Sequence, residues 1–282
     1  VRNNPESVEI YLALGNLYRS QGEIERAIHI RTSLIERPGL SETLKARCHF
    51  ELGRDFRRGG MLDKARNAFE AARKIQGDSE EIELELARLA ADSGDFERAA
   101  QHYERIKRPM AEAHFLTQQA REHFRLREDN KANALLERAL RAFPASPEAW
   151  LATVVHSALS GNLELHSASL RNACTNIPAP QRFLLLEDLL MALSSCRFED
   201  ATQPNRTVLS PAAITQLVRT SVSVLSEFPP DALICYYCAK LCLFEGDRES
   251  AKHWLEKVHA GEAGAPGRPA LLPHGRLLRN VL

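Results

Sequence analysis

The sequence predicts an all-α fold, a solenoid of about seven helical hairpins, and three observations predict it. Ala, Leu, Glu and Arg dominate its 282 residues, usage that favours helices, and only 6% of residues are aromatic. No stretch shows the apolar–polar alternation of a strand. A set of landmarks recurs along the chain, and a repeat of roughly 20–50 residues decides an architecture before any local reading does.

The landmarks run in order. A small residue stands within an apolar run at Gly15, Gly53, Ala87 and Ala120, more weakly at Val154, and again at Ala239. Seven residues later comes a turn residue: Gly22, Gly60, Gly94, Arg127, Gly161 and Gly246. Five further on stands Ala27, Ala65, Ala99, Ala132, His166 or Ala251. The first five units start 38, 34, 33 and 34 residues apart, and the last follows after 85, which leaves room for one irregular unit.

Each unit reads as two amphipathic helices around a tight turn. In the first, Leu14, Leu17 and Tyr18 precede Gly22, and Ile24, Ala27, Ile28 and Ile30 follow it, spacings that share one stripe of a helix. In the second, Leu52, Phe56, Gly60, Ala65, Phe69 and Ala72 repeat the arrangement, and Trp150, Gly161, Ala173 and Pro178 supply a later set. Helix axes come within about 8–10 Å only where the crossing residues are small. Proline closes several units, as at Phe143-Pro144 and Ile177-Pro178, because a helix cannot continue through it. These landmarks resemble the tetratricopeptide repeat, which implies a right-handed superhelix of helical hairpins. The expected segments are five such repeats over 1–179, an irregular helical hairpin with a long loop over 180–230, a final repeat over 231–259 and a Gly/Pro-rich tail over 260–282. Within the irregular segment, Phe183 to Leu193 reads as one helix, and Ser210-Pro211 opens a second as N-cap and first-turn residue. The polar stretch 197–209 between them is the loop.

Composition narrows the functional classes. The chain carries 37 basic and 37 acidic side chains, which argues against a nucleic-acid binder relying on bulk positive charge. No window approaches the ~18 uninterrupted apolar residues of a membrane span. Six cysteines in a chain this long do not make a disulfide framework, and a reducing cytoplasm is the expected setting. Cys235, Cys238 and Cys242 form the most metal-like spacing. However, a closed zinc site needs four ligands, and no second CxxC exists. All three also fall on the stripe occupied by Tyr11, Leu14 and Tyr18 in the first unit, so they are expected to be core residues. The ten histidines include no HxxxH or HExxH, and His114 and His123 lie nine apart in one helix. Phosphate-cradling and dinucleotide motifs are absent, and no nucleophile stands with a base. The expectation is a protein without catalytic residues, metal or cofactor.

The position after each small residue is the candidate site. It holds Asn16, Arg54, Arg88, Arg121 and Val155, and Arg19 and Arg57 follow one turn beyond the first two. In tetratricopeptide proteins this position of the first helix points into the groove, so the resemblance implies a ladder of arginines there. Arginine's planar fork suits carboxylates, and the expected ligand is an acidic peptide or protein surface. Ordinary solvated arginines are the competing reading.

The first half carries a closer resemblance. Asn4-Pro5-Glu6-Ser7-Val8-Glu9, then Leu12 to Glu23 and Arg26-Ala27-Ile28, with Leu52 to Phe56, Gly60 and Asp63-Lys64-Ala65, is similar to the bacterial lipopolysaccharide assembly protein B family. That resemblance implies a cytoplasmic adaptor attached to the inner membrane through an N-terminal helix, helping a membrane protease act on a lipid A biosynthetic enzyme. A glycosyltransferase-associated protein and a general peptide-binding or chaperone-like scaffold are the alternatives. The family's membrane helix and its C-terminal module of two CxxC pairs have no counterpart here. The chain opens on Val1, not Met, and is expected to be a piece of a longer protein; a homo-oligomer is compatible with all of these readings.

Overall fold

A computed structural model describes residues 5–178, 182–195, 209–229 and 232–262. Fourteen α-helices and no strand lie among them. Three successive hairpins come first: α1 (Pro5–Ser20) with α2 (Ile24–Ile35), α3 (Glu42–Arg58) with α4 (Leu62–Gln76), and α5 (Glu80–Asp92) with α6 (Phe96–Arg105). Then follow α7 (Pro109–Arg125), α8 (Asp129–Ala142), and the hairpin of α9 (Pro147–Leu159) and α10 (Leu163–Asn176). The last four are α11 (Arg182–Ser195), α12 (Pro211–Ser226), α13 (Ala232–Glu245) and α14 (Arg248–Glu262).

Local chemistry sets the ends of these helices. Ser41, Ser79, Asp95, Ser146, Asn162 and Ser210 each accept a hydrogen bond from the backbone N–H three residues on, satisfying one otherwise orphaned donor. Ser210-Pro211 is thus the cap and first-turn pair read from the sequence. The turn inside each hairpin requires a left-handed residue, and Gly22, Gly60, Gly94, Gly161 and Gly246 supply it. Arg127 adopts the same conformation, φ 62°, without a glycine's freedom.

The chain divides into two compact units, residues 1–138 and 139–282, with the boundary inside α8. The segment limits expected at 179/180, 230/231 and 259/260 mark changes in repeat regularity, not this division. In the first unit α2 packs on α3, α4 on α5 and α6 on α7, so each hairpin covers the next. The small landmark residues do what close crossing demands. Ala27, Ala65, Ala87 and Ala99 are fully buried, and a Cβ built on Gly53 would stand 2.6 Å from the Phe69 ring. In the second unit α9 pairs with α10 and α13 with α14. Between those hairpins, α11 lies on α9, and α12 lies on α10 and α13. One continuous apolar core there includes Leu170, Leu186, Leu217, Tyr237 and Cys238. The helix α14 continues to Glu262, three residues into the stretch expected to be tail. The loop expected at 197–209 lies outside the described residues apart from Leu209, and so does the tail from 263 onward.

Candidate functional site

The predicted site residues lie on α1, α3, α5 and α7, the first helices of successive repeats, and five of the six fall into two ion-paired clusters in the first unit. The first cluster is built around a charged pair where a core would ordinarily be apolar. Arg31 of α2 and Asp55 of α3 are both fully buried, and the Arg31 Nε donates to the Asp55 carboxylate. Gly15 leaves the room: a Cβ there would stand 3.0 Å from the Arg31 guanidinium carbon. Arg31 also donates to the Asn16 side-chain carbonyl at 2.7 Å, while its Nη1 has no hydrogen-bond partner. Arg19 reaches over from α1 to Asp55 at 2.9 Å and Glu51 at 2.8 Å, and donates to Asn16 at 2.9 Å. Burial pushes the Asp55 carboxyl above the usual range, and the two arginines pull it back only in part. Asn16 and Arg19 are therefore engaged within the fold, joining the first hairpin to the second.

The second cluster gathers around one carboxylate. Glu85 of α5 is almost wholly buried and holds Arg57 at 2.5 Å, Arg88 at 3.1 Å and Arg54 at 3.5 Å. Arg57 also pairs with Asp92 at 2.8 Å, and Arg54 with Glu51 at 3.4 Å. Three cations thus share Glu85. The side chains of Arg54 and Arg88 remain 41% and 45% exposed, so their outer N–H groups face solvent. Arg121 of α7 is exposed, and no ion pair ties it to this cluster among the described residues.

A third carboxylate lies nearby in the same unit. Burial pushes Glu83 up, but the His102 hydrogen bond at 2.6 Å, with the charges of His102, Arg105 and Arg73, outweighs it and holds the carboxyl below its usual value. In the second unit, Cys235, Cys238 and Cys242 are buried on α13. Burial raises the Cys238 thiol far above its ordinary value, with its cysteine neighbours adding to the effect, and lifts Cys242 to about 11. These are packing residues with little thiolate character. Among the described residues no group of three His, Cys, Asp or Glu is placed to hold a metal ion. His166, at the position of the repeat alanine, is buried between Ser157 of α9 (3.4 Å) and Ser221 of α12 (2.9 Å). Both hydroxyls also donate to helix carbonyls of their own, those of Val154 and Leu217. Burial pushes the imidazole down to about 4, opposed in part by a hydrogen bond to the Val154 backbone.

Arg31, Asp55 and Glu85 organise these clusters, yet the sequence reading passed over them. The register contained a signal for each: Glu85 repeats Glu51, two residues before the landmark small residue. Asp55 stands where Leu17 and Leu89 stand in neighbouring units, and Arg31 where Phe69 stands. Opposite charges at two positions that are apolar elsewhere mark a buried pair.

Comparison with known proteins agrees with this register. The tetratricopeptide repeat family is matched over residues 50–113 and 117–165, and a second model of the same description over 8–30. These stretches of the chain are tetratricopeptide repeats. Over 148 residues it is 27% identical to lipopolysaccharide assembly protein B of Escherichia coli (strain K12), a stretch that covers 50% of this chain and 38% of that protein. The protein of the same description from Haemophilus influenzae is 39% identical over 61 residues, 22% of this chain and 15% of that one. The chain thus spans well under half the length of the curated relatives it matches. Among solved structures, a tetratricopeptide repeat protein from Parabacteroides merdae aligns over 93% of this chain and 94% of its own, with 18% identity and a TM-score of 0.44. No helix among the described residues is long and apolar enough to cross a membrane.

Proposed function

We propose that this tetratricopeptide protein is a non-catalytic adaptor that holds an acidic segment of a partner protein against Arg54, Arg88 and Arg121. The observation that carries the reading is Glu85, one buried carboxylate shared by three arginines. A buried acid of this kind fixes guanidinium groups in place without using all their donors, and a rigid fork is what a carboxylate ligand needs. Arg19 and Arg57 bridge adjacent hairpins and act as supports for the surface, with Asn16 behind them.

The relatives extend the proposal to a pathway. Similarity to lipopolysaccharide assembly protein B supports a role in envelope lipid assembly, with a membrane protease and a lipid A biosynthetic enzyme as partners and the repeats on the cytoplasmic side of the inner membrane. A general peptide-binding or chaperone-like scaffold is the second reading, and the generic repeat match over 117–165 favours it.

The test compares wild type with an Arg54→Ala/Arg88→Ala/Arg121→Ala variant in capture from bacterial lysate. Circular dichroism first establishes that the variant is folded, as it should be, since Arg57 still neutralises Glu85. Wild type should retain a discrete protein carrying an acidic segment, the variant should lose it, and rising salt should weaken the wild-type complex. Equal recovery by both proteins would remove the arginines from the site. A captured set of unrelated unfolded chains would replace the adaptor with the chaperone-like scaffold.

A further inference from the structure

The arginines of the first unit differ in how many of their donors the fold has used. A guanidinium can take a carboxylate with two parallel bonds along either of two edges, the side edge of Nε with Nη2 or the end of Nη1 with Nη2. Arg57 has given its Nε to Asp92 and its Nη1 to Glu85, so each edge has lost one member. Arg54 is spent in the same way. Its Nε lies 3.5 Å from Glu85 and its Nη1 3.4 Å from Glu51, with the guanidinium carbon 5.9 Å from the Phe50 ring centre, and only Nη2 is left. Arg88 is different. Its Nη1 alone is engaged, by Glu85 at 3.1 Å, and no described residue bonds its Nε or Nη2. The side edge of Arg88 is therefore intact, on a side chain that is 45% exposed.

The same protein shows what such an edge holds. In the second unit, Arg171 donates from Nε and Nη2 to the two oxygens of Glu227, at 2.6 and 2.7 Å. Both side chains of that pair are nearly half exposed, as Arg88 is, so the bidentate geometry forms without burial. Charge points to the same ligand. One chain of ion pairs joins five arginines (Arg19, Arg31, Arg54, Arg57 and Arg88) to four carboxylates (Glu51, Asp55, Glu85 and Asp92). One positive charge is left over, and the largest set of open donors on the exposed side is that of Arg88. A single carboxylate neutralises it. A phosphate, with close to two negative charges, would leave part of its charge unmatched beside Glu85 and Asp92.

We infer that the side edge of Arg88 is the anchor of the site and takes one aspartate or glutamate side chain of the partner bidentately, as Arg171 takes Glu227. Arg54 adds charge beside it through its remaining Nη2. This rests on the adaptor reading and narrows it, from an acidic stretch to one required carboxylate. It also ranks the arginines, because Arg88 is the one that lysine cannot replace: an ammonium keeps the charge and loses the planar edge. Glu85 acts as a positioning residue, since it holds Arg88 by Nη1 and leaves the side edge free.

Arginine Nε–H NMR of the full chain, with N-acetyl-Ala-Glu-Ala amide as the probe, tests the inference; the Arg88 signal is assigned by its loss in Arg88→Lys. The glutamate peptide should shift the Arg88 signal saturably and leave that of Arg57, whose Nε already holds Asp92, in place. The matching glutamine peptide should shift neither, and a phosphoserine peptide should bind no more than about threefold tighter than the glutamate one. Followed by saturation transfer to the peptide, Arg88→Lys should weaken binding at least about fivefold and Arg54→Lys less than about twofold. No saturable shift at Arg88, an equal response to glutamine, or undiminished binding by Arg88→Lys would overturn the inference. Lysate capture separates it from the adaptor reading. A partner lost by the triple alanine variant but kept by Arg88→Lys would sink the edge and spare the adaptor. A glutamate peptide seated on Arg88, with no protein captured by wild type, would do the reverse.

Discussion

Replacing Asp55 with leucine should destabilise the first unit by about 3–5 kcal/mol, the usual cost of leaving one partner of a buried ion pair alone. The structure gives the reason for the upper end. Arg31 is fully buried and already has an unpaired Nη1, so losing Asp55 strips its Nε as well. Only Asn16 and a 3.7 Å contact to Glu51 would remain. Arg31→Phe alone should cost less, because Asp55 keeps Arg19 at 2.9 Å, and a carboxyl already pushed up by burial readily takes a proton. The double variant Arg31→Phe/Asp55→Leu rebuilds the apolar arrangement of the next hairpins. There Phe69 lies against Gly53 as Arg31 lies against Gly15, and Leu89 occupies the Asp55 register. It should return to within about 1 kcal/mol of wild type or exceed it, which makes the coupling energy at least about 2 kcal/mol. Urea unfolding followed by circular dichroism supplies all four corners of the cycle, with equal slopes required before midpoints are compared. Additive losses in the double variant, or a cost below about 1 kcal/mol for Asp55→Leu, would refute the buried-pair reasoning.

Three further outcomes follow from the same packing. Gly53→Ala should cost about 1–3 kcal/mol in thermal or urea unfolding despite gaining up to ~1 kcal/mol of helix propensity, because its Cβ would enter the Phe69 ring at 2.6 Å; adding Phe69→Leu should recover part of the loss. His166 binds a proton less readily folded, at about 4, than unfolded, near 6.5, so its share of stability is intact above pH 6.5 and is lost as pH falls toward 4. The wild-type advantage over His166→Ala should shrink by about 3 kcal/mol between pH 7 and 4, and a pH-independent difference would place the imidazole in water. Arg127→Gly and Lys107→Gly remove side chains from left-handed backbone, φ 62° and 54°, and each should raise the unfolding midpoint by the equivalent of about 0.5–1 kcal/mol; a fall in both would mean that those turns are not strained.

The fold was legible because solenoid repeats advertise themselves by spacing. Gly22, Gly60, Gly94 and Gly161 marked the turns, and even Arg127 was found by register despite having no glycine to recommend it. The cysteines were legible for the same reason: Cys238 falls where Leu52 falls, and both are buried. The site was less so. Register located Arg54, Arg57 and Arg88, but it assigns a direction to a side chain and not a partner. Glu85, which gathers all three, lies two residues before a landmark alanine, as Glu51 lies two before Gly53, and the two acids hold Arg57 and Arg19 at equivalent positions. The face consequently differs from a ladder of bare cations, since acids alternate with bases from Asp55 to Asp92.

That alternation separates the arginines by task. Arg19 and Arg57 each span two hairpins and end on carboxylates in the next one, so removing either takes a cation from a buried acid, Asp55 in one case and Glu85 in the other. Loss of binding in those variants would report on the stack and not on the ligand. Arg54 and Arg88 stand on the same Glu85 but are nearly half exposed, and Glu85 retains Arg57 when they are gone. They are the positions where affinity can change while stability does not. Arg121 is exposed on α7, and no ion pair among the described residues ties it to Glu85. On the proposed reading, an acidic segment would meet Arg54 and Arg88 on their shared Glu85, with Arg121 contributing from α7.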